Sequence, residues 1–344
     1  MGMFDDSLPD GWGRLLIDRR AVQLGLSSAS LTPLDRLTVV GARSMGALVY
    51  EPEVALDDPT IVKLAELAEE ARLVVHDAGG PDLEQLIAIG GSPQGARPKV
   101  LVQLAPDGAV HFGARDIGPG FTAWLVKFRA RDDAPHSAAL EHAYFLMAAA
   151  AGLDVPRTQL LGRTSRSPGY FAIERFDRAG PTRIHTHTLG GMLHLPHGYP
   201  ALDYRDVLEL TRRLTLNEAA VAEMFRRACF NVFAHNRDDH SRNVTFLMDE
   251  GGRWRPSPAY DLTFADGPGG EHTTLIMGEG RAPDRTHLAA LAAHAELKRA
   301  DRIIDEVRAA VARFRSFADE AGVSARPREQ VACALGLAKP RRRR

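Results

Sequence analysis

Asp238 and Asn243 stand five positions apart in the run H-N-R-D-D-H-S-R-N, and Asp261 follows within S-P-A-Y-D-L. Phosphoryl transfer asks a protein for few things: contacts to phosphates, oxygen ligands for magnesium, and a carboxylate that orients the attacking hydroxyl. A carboxylate at Asp238 can accept the proton of a substrate hydroxyl, and an amide oxygen five residues on can reach a magnesium ion. Asp261, past the next hairpin, has the place of a second metal acid. Magnesium prefers hard oxygen ligands in octahedral geometry, which Asn243 and Asp261 supply together with phosphate and water. Asp238, and not Asp239, has the five-residue offset. The plain alternative is a polar loop capping the preceding helix, since the spacing alone is frequent by chance. The apolar strand V-T-F-L directly after it, with a second acid one hairpin later, favours chemistry. His240 lies inside the same loop and joins the candidates for cofactor contact.

Lys127 is the one charge in W-L-V-K-F, on the opposite face of the strand from Trp124, Val126 and Phe128. A lone strand lysine is usually solvated. This one follows a hairpin and precedes a helix carrying Glu141, as a phosphate-binding lysine and its helix glutamate do in kinases. A surface charge is the competing reading of Glu141. The loop G-G-S-P-Q-G-A-R-P-K fits neither common Gly-rich phosphate pattern. Gly91 and Gly95 nonetheless allow backbone amides to turn toward an anion, and Lys99 offers a second phosphate contact. His185, His187, His194 and His197 crowd one loop; without a closed site around them, solvated or packed histidines are the expectation over zinc.

Several elements must position these residues. Helices are expected from Thr60 to His76, near Asp82 to Ile89, and from Ser137 to Ala151. T-P-L-D-R-L reads as a capped helix start, and the Gly-rich apolar run at 39–50 as strand and turn. Strands are expected at V-L-V-Q-L, A-V-H-F-G-A and A-W-L-V-K-F, the first two joined by the turn P-D-G. Two more follow at T-Q-L-L and Y-F-A-I-E-R-F. After Asp177 the texture is helical. The clearest stripe, from Asn217 to Phe233, delivers the chain to His235. Another helix is expected from Ala300 to Ala321. The reading is therefore α+β, with an antiparallel-sheet lobe over 1–176, a mostly helical lobe over 177–336, and a basic, disordered tail over 337–344. Two lobes meeting at a cleft is the natural architecture.

The 344 residues carry a net charge of −1, so no global field draws the chain to nucleic acid or membrane. Two cysteines give no disulfide framework or zinc spacing, and Cys229 falls on an apolar helix face. No signal peptide or membrane-spanning run is evident, and the cytoplasm is the simplest compartment.

A collinear set of segments resembles the HipA family of serine/threonine kinase toxins of bacterial toxin–antitoxin systems. It comprises F-D-D-S-L-P-D-G-W, G-S-P-Q-G-A-R-P-K, W-L-V-K-F, E-H-A-Y-F-L-M-A-A-A-A-G-L-D-V-P, F-A-I-E-R-F-D-R, R-D-D-H-S-R-N and S-P-A-Y-D-L. The resemblance implies a bilobal kinase-like fold, with ATP and Mg2+ as cofactors. It implies Asp238 as catalytic acid/base, Asn243 and Asp261 as metal ligands, and Lys127 on the ATP phosphates. Glu174 and Phe176 would lie at the hinge beside adenine. Ser92 falls where the family has a regulatory serine, whose autophosphorylation expels the loop; a dianion there repels ATP phosphates. The implied partners are a HipB-like DNA-binding antitoxin and an aminoacyl-tRNA synthetase as protein substrate, with nucleic acid met only through the antitoxin. Because F-D-D-S-L-P-D-G-W opens the chain, it resembles the short HipT form, which lacks an N-terminal domain and takes a separate HipS-like protein in its place. Two other readings stay open: a small-molecule kinase of the aminoglycoside or choline type, and a non-catalytic scaffold that binds its antitoxin.

Overall fold

The computed structural model describes residues 2–56, 63–77, 80–90, 95–113, 117–164, 167–195 and 202–337. The chain forms two compact units that interleave in sequence: 1–138 with 157–187, and 139–156 with 188–344. They are not the consecutive segments 1–176 and 177–336, and the reasons are local to each unit. The tail expectation at 338–344 lies outside the described residues.

The first unit is built on a five-stranded antiparallel sheet: β1 (Lys99–Leu104), β2 (Val110–Phe112), β3 (Thr122–Lys127), β4 (Thr158–Leu161) and β5 (Tyr170–Glu174), in the order β2-β1-β3-β5-β4. Val100 pairs with Val126 and Val102 with Trp124, so period-2 alternation places these apolar side chains on one face. Onto that face pack the helices Gly11–Gln23, Leu64–His76 and Leu83–Gly90, through Trp12, Leu16, Leu67 and Leu86. Each of these four side chains is essentially fully buried. The helix Pro33–Val40 starts on a reciprocal cap in which Thr32 and Asp35 each accept the other's amide N–H.

Two expectations change here. The run at 39–50 is no strand; it is the end of a helix followed by the 3-10 turn Gly41–Arg43. Its carbonyls are taken by arginine side chains instead of a neighbouring strand. Arg183 donates to Ala42, Ser44 and Gly46, and Arg178 to Ser44 and Gly46. The stretch after Asp177 is also not helical at first; it forms the short strands Arg178–Ala179, Thr182–Arg183 and His185–Thr188. Asp177 explains why this stretch stays with the first unit. Fully buried, it accepts the Gly46 N–H at 2.7 Å and pairs with both Arg175 and Arg178. Burial pushes its carboxyl up, but the two guanidinium groups and the Gly46 N–H outweigh it and hold the group down at about 2.

The second unit is helical. Tyr204–Thr215 and Glu218–Phe233 pack together, and Ala300–Val311 packs on the latter. The helix Ser137–Ala150, though flanked in sequence by strands of the other unit, belongs here because its buried aromatic is seated here. The Tyr144 ring meets Phe230 and Phe314 edge-on at 6.3 and 6.0 Å, and its hydroxyl donates to the Ala234 carbonyl at 2.7 Å. The helix expected over 300–321 is two, Ala300–Val311 and Phe314–Ala321. The chain leaves helical geometry at Arg313 (φ −92°, ψ 10°), and Phe314 beyond the break is buried against Tyr144. Cys229 is buried, which raises its thiol pKa. Among the described residues no helix is long and apolar enough to cross a membrane.

Candidate active site

The helix Glu218–Phe233 ends at Ala234, and His235 (φ 48°) turns the chain out of it. The His235 ring stacks on Phe264, the planes 11° apart. Burial, and then the nearby Arg237, lower the pKa of that imidazole. The loop backbone pairs with Ala265 on both sides, through Ala265 N to His235 O at 3.0 Å and Arg237 N to Ala265 O at 3.3 Å.

Beyond this anchor two adjacent carboxylates diverge. Asp239 is buried and accepts four hydrogen bonds: from the Thr273 and Thr274 amides at 3.0 and 3.2 Å, the Tyr204 hydroxyl at 3.1 Å and His272 Nδ1 at 2.9 Å. Asn231 donates to the same Tyr204 hydroxyl at 2.8 Å and accepts from Asn236 at 2.9 Å. Burial first, then the Asp239 charge, raise the Tyr204 pKa, so its hydroxyl stays a donor. The Asp238 side chain is 57% exposed, and His240 Nε2 lies 3.9 Å from its Oδ1. The Asn243 side-chain amide donates to the Asp238 carbonyl at 2.8 Å. That bond fixes which end of the amide is which, and leaves the Asn243 oxygen as the end suited to a cation.

Asp261 adopts a left-handed backbone (φ 54°), a conformation that Asp tolerates better than most residues. The segment leading to it is pinned at successive residues. Ser257 N donates to Thr245 O at 2.9 Å and Ala259 N to Asp154 O at 2.7 Å. Arg227 donates to Ser257 O, and the Tyr260 hydroxyl lies 2.6 Å from Thr245 Oγ1 and donates to Arg242 O. An amide oxygen and a carboxylate are hard oxygen donors of the kind magnesium takes. Among the described residues no group of three or more His, Cys, Asp or Glu could hold a metal ion.

In the first unit Lys99 and Lys127 are direct register partners across β1 and β3, so both leave the sheet on the same face. Lys99 is 5% exposed, and Lys127 Nζ sits 5.7 Å from the centre of the Phe171 ring. Two ammonium groups on one face of the sheet are of the chemistry that meets phosphate oxygens. Gly95 (φ 107°) arches over this point; a Cβ there would fall 2.6 Å from Lys99 Nζ. Gly91 and Ser92 lie outside the described residues. Glu174, at the end of β5, is held by Arg157 at 2.6 and 2.8 Å. Half-buried Phe176 follows two residues later. Glu141 is buried in the helix Ser137–Ala150. It and Lys127 fall in different units. Of the histidine cluster, His187 Nδ1 lies 2.5 Å from Asp6 Oδ2, His185 sits beside it, and His197 is outside the described residues.

Sequence reading did not single out Tyr204, His272 and Asn231, which seat the loop through Asp239, nor Asp10 and Trp12, which hold Gly95 and Lys99. The first group comes together over separations such as 33 residues and left no local signal. The second lies within F-D-D-S-L-P-D-G-W, where an Asp–Gly pair at a helix start was the available cue.

Residues 91–314 match the HipA-like C-terminal domain family, and residues 1–51 match the HipA N-terminal domain. The second match corrects the expectation of a short form without an N-terminal domain, since F-D-D-S-L-P-D-G-W falls inside it. A Sinorhizobium fredii protein named "Putative kinase Y4mE" is 29% identical over 287 residues, 75% of this chain and 63% of that protein. The chain therefore spans less than two thirds of that relative's length. The HipA of Shewanella oneidensis MR-1, solved with HipB and its operator DNA, matches with a TM-score of 0.67 at 20% identity, over 97% of this chain and 83% of that one. At that identity the likeness is one of fold, and that fold mixes helices with antiparallel sheet, as the α+β class expected from the sequence does. With a family match that covers 224 of its 344 residues (91 to 314 inclusive), the chain belongs to the HipA family.

Proposed function

We propose that the chain is an ATP-dependent protein serine/threonine kinase acting as a toxin, with Asp238 as its catalytic base. The observation that carries this reading is the contrast within the loop. Asp239 is consumed by four hydrogen bonds, while Asp238 faces solvent on a backbone tied to Asn243. An exposed carboxylate on a fixed loop can take the proton of an incoming hydroxyl. Asn243 and Asp261 would hold magnesium, which when bound neutralises charge on the phosphates. Lys99 and Lys127 would meet those phosphates, with Gly91 and Gly95 turning amides toward them. His240 lies within reach of the same group, Glu141 would support the phosphate lysine, and Glu174 and Phe176 would offer backbone to adenine.

The further steps rest on the family resemblance. The acceptor would be a serine on an aminoacyl-tRNA synthetase, which would halt translation, and Ser92 would be an autophosphorylation site. A HipB-like DNA-binding antitoxin would be its partner, as HipB accompanies the Shewanella HipA. A HipS-like partner, implied only for a chain without an N-terminal domain, is not proposed, because residues 1–51 match that domain. The test supplies ATP and magnesium with either cell proteins or an aminocyclitol. Transfer to a protein serine by the wild-type chain, lost in Asp238→Asn, is expected. Transfer to the aminocyclitol alone, or ATP binding without turnover, would contradict the reading.

A further inference from the structure

Asp10 holds the N-cap position of the helix Gly11–Gln23, yet its side chain caps nothing there. An Asp at that position ordinarily accepts an amide of its own first turn. Here its Oδ1 accepts the N–H of Gly95, 85 residues away, at 2.5 Å. The reverse bond is also made, from Trp12 N to Gly95 O at 3.0 Å. The Trp12 indole N–H reaches on to the Lys99 carbonyl at 3.1 Å, with its ring 1% exposed. The two backbones approach so closely that Gly11 (φ 36°) has no room for a side chain. A Cβ there would lie 2.6 Å from Gly95 O and 2.7 Å from Ala96 Cα. Three consecutive residues thus grip both sides of Gly95 and the backbone of Lys99. A helix start that forgoes its own cap for a distant contact breaks a local rule, and such breaks concentrate at functional sites.

We propose that Asp10 and Trp12 are positioning residues for phosphate binding. They hold the Gly95 turn over the Lys99 ammonium before the nucleotide arrives, so binding does not bear the cost of ordering it. The inference rests on the reading above that Lys99 and Gly95 face ATP phosphates. It also gives the segment matching the HipA N-terminal domain a part in nucleotide binding.

The test is calorimetric titration of the full chain with ATP·Mg and, separately, with adenosine. Asp10→Ala should weaken ATP binding about tenfold and leave adenosine binding unchanged. Asp10→Asn keeps an oxygen acceptor for the Gly95 amide and should bind ATP within about twofold of wild type. Trp12→Phe keeps a buried aromatic ring, loses the N–H together with part of the indole, and should repeat the ATP-selective loss; it decides the matter if Asp10→Ala does not fold. Equal ATP affinity in Asp10→Ala and wild type, or loss of ATP and adenosine alike, would overturn the clamp. A wild-type chain that binds no ATP would instead overturn the functional reading on which the clamp depends.

Discussion

Asp239 accepts four hydrogen bonds while its neighbour Asp238 faces solvent, and the difference should be measurable as stability. Replacing Asp239 by Ala strands the Tyr204 hydroxyl, His272 and two backbone amides in a buried site. That should cost about 3 kcal/mol of unfolding free energy, within the range for breaking a buried polar network. Asp238→Ala removes an exposed group and should stay within about 0.5 kcal/mol of wild type. Urea denaturation of the two variants checks the contrast, and equal losses would contradict the assignment of a supporting role to one and a reactive role to the other. The offset to Asn243 already separated the two acids in the sequence. What seats Asp239 was not legible, because Tyr204 and His272 arrive from distant elements whose local patterns say nothing of a carboxylate.

The helix from 218 to 233 could be read because its 3.6-residue apolar period is undisturbed up to the loop, and the strand from 245 to 248 because it is a short, largely buried run just after it. The sheet strands were equally plain, and the expected opposition of Lys127 to Trp124, Val126 and Phe128 follows from the pleat. The run at 39–50 misled because an apolar, Gly-rich stretch resembles a strand when its carbonyl partners are invisible; those partners are the side chains of Arg178 and Arg183. The helix Ser137–Ala150 was placed correctly as an element, but periodicity cannot say which neighbours its buried side chains meet. Tyr144→Phe tests that placement. It keeps the ring between Phe230 and Phe314 and deletes one buried hydrogen bond to Ala234. Thermal or urea unfolding should show a loss of about 1 kcal/mol, and an unchanged stability would count against the contact.

At the scale of the molecule, the interleaving of two units in one chain was not legible in the sequence, where the change of texture near residue 177 suggested a single boundary. Asp177 belongs to the first unit because its charge is satisfied there. Its folded-state carboxyl is held near 2, below the 3.8 of a free Asp. A depressed folded pKa contributes stability that is complete above the unfolded value and lost as pH falls through the folded one. The contribution, about 2 kcal/mol, should therefore fade between about pH 4 and pH 2. Unfolding measured across that window should show a shallower acid loss in Asp177→Asn than in wild type, on a lower baseline at neutral pH. Parallel profiles would mean that this carboxylate is not the group that titrates.

The central claim is that the loop at 235–243 moves a phosphate from ATP to a protein hydroxyl through Asp238. Intact-mass measurement of the purified chain after incubation with ATP and magnesium tests it most directly, followed by peptide mapping of the modified residue. The expected result is one added phosphate on Ser92 in the wild-type chain and none in Asp238→Asn. Phosphate gained to the same extent by Asp238→Asn would contradict the account.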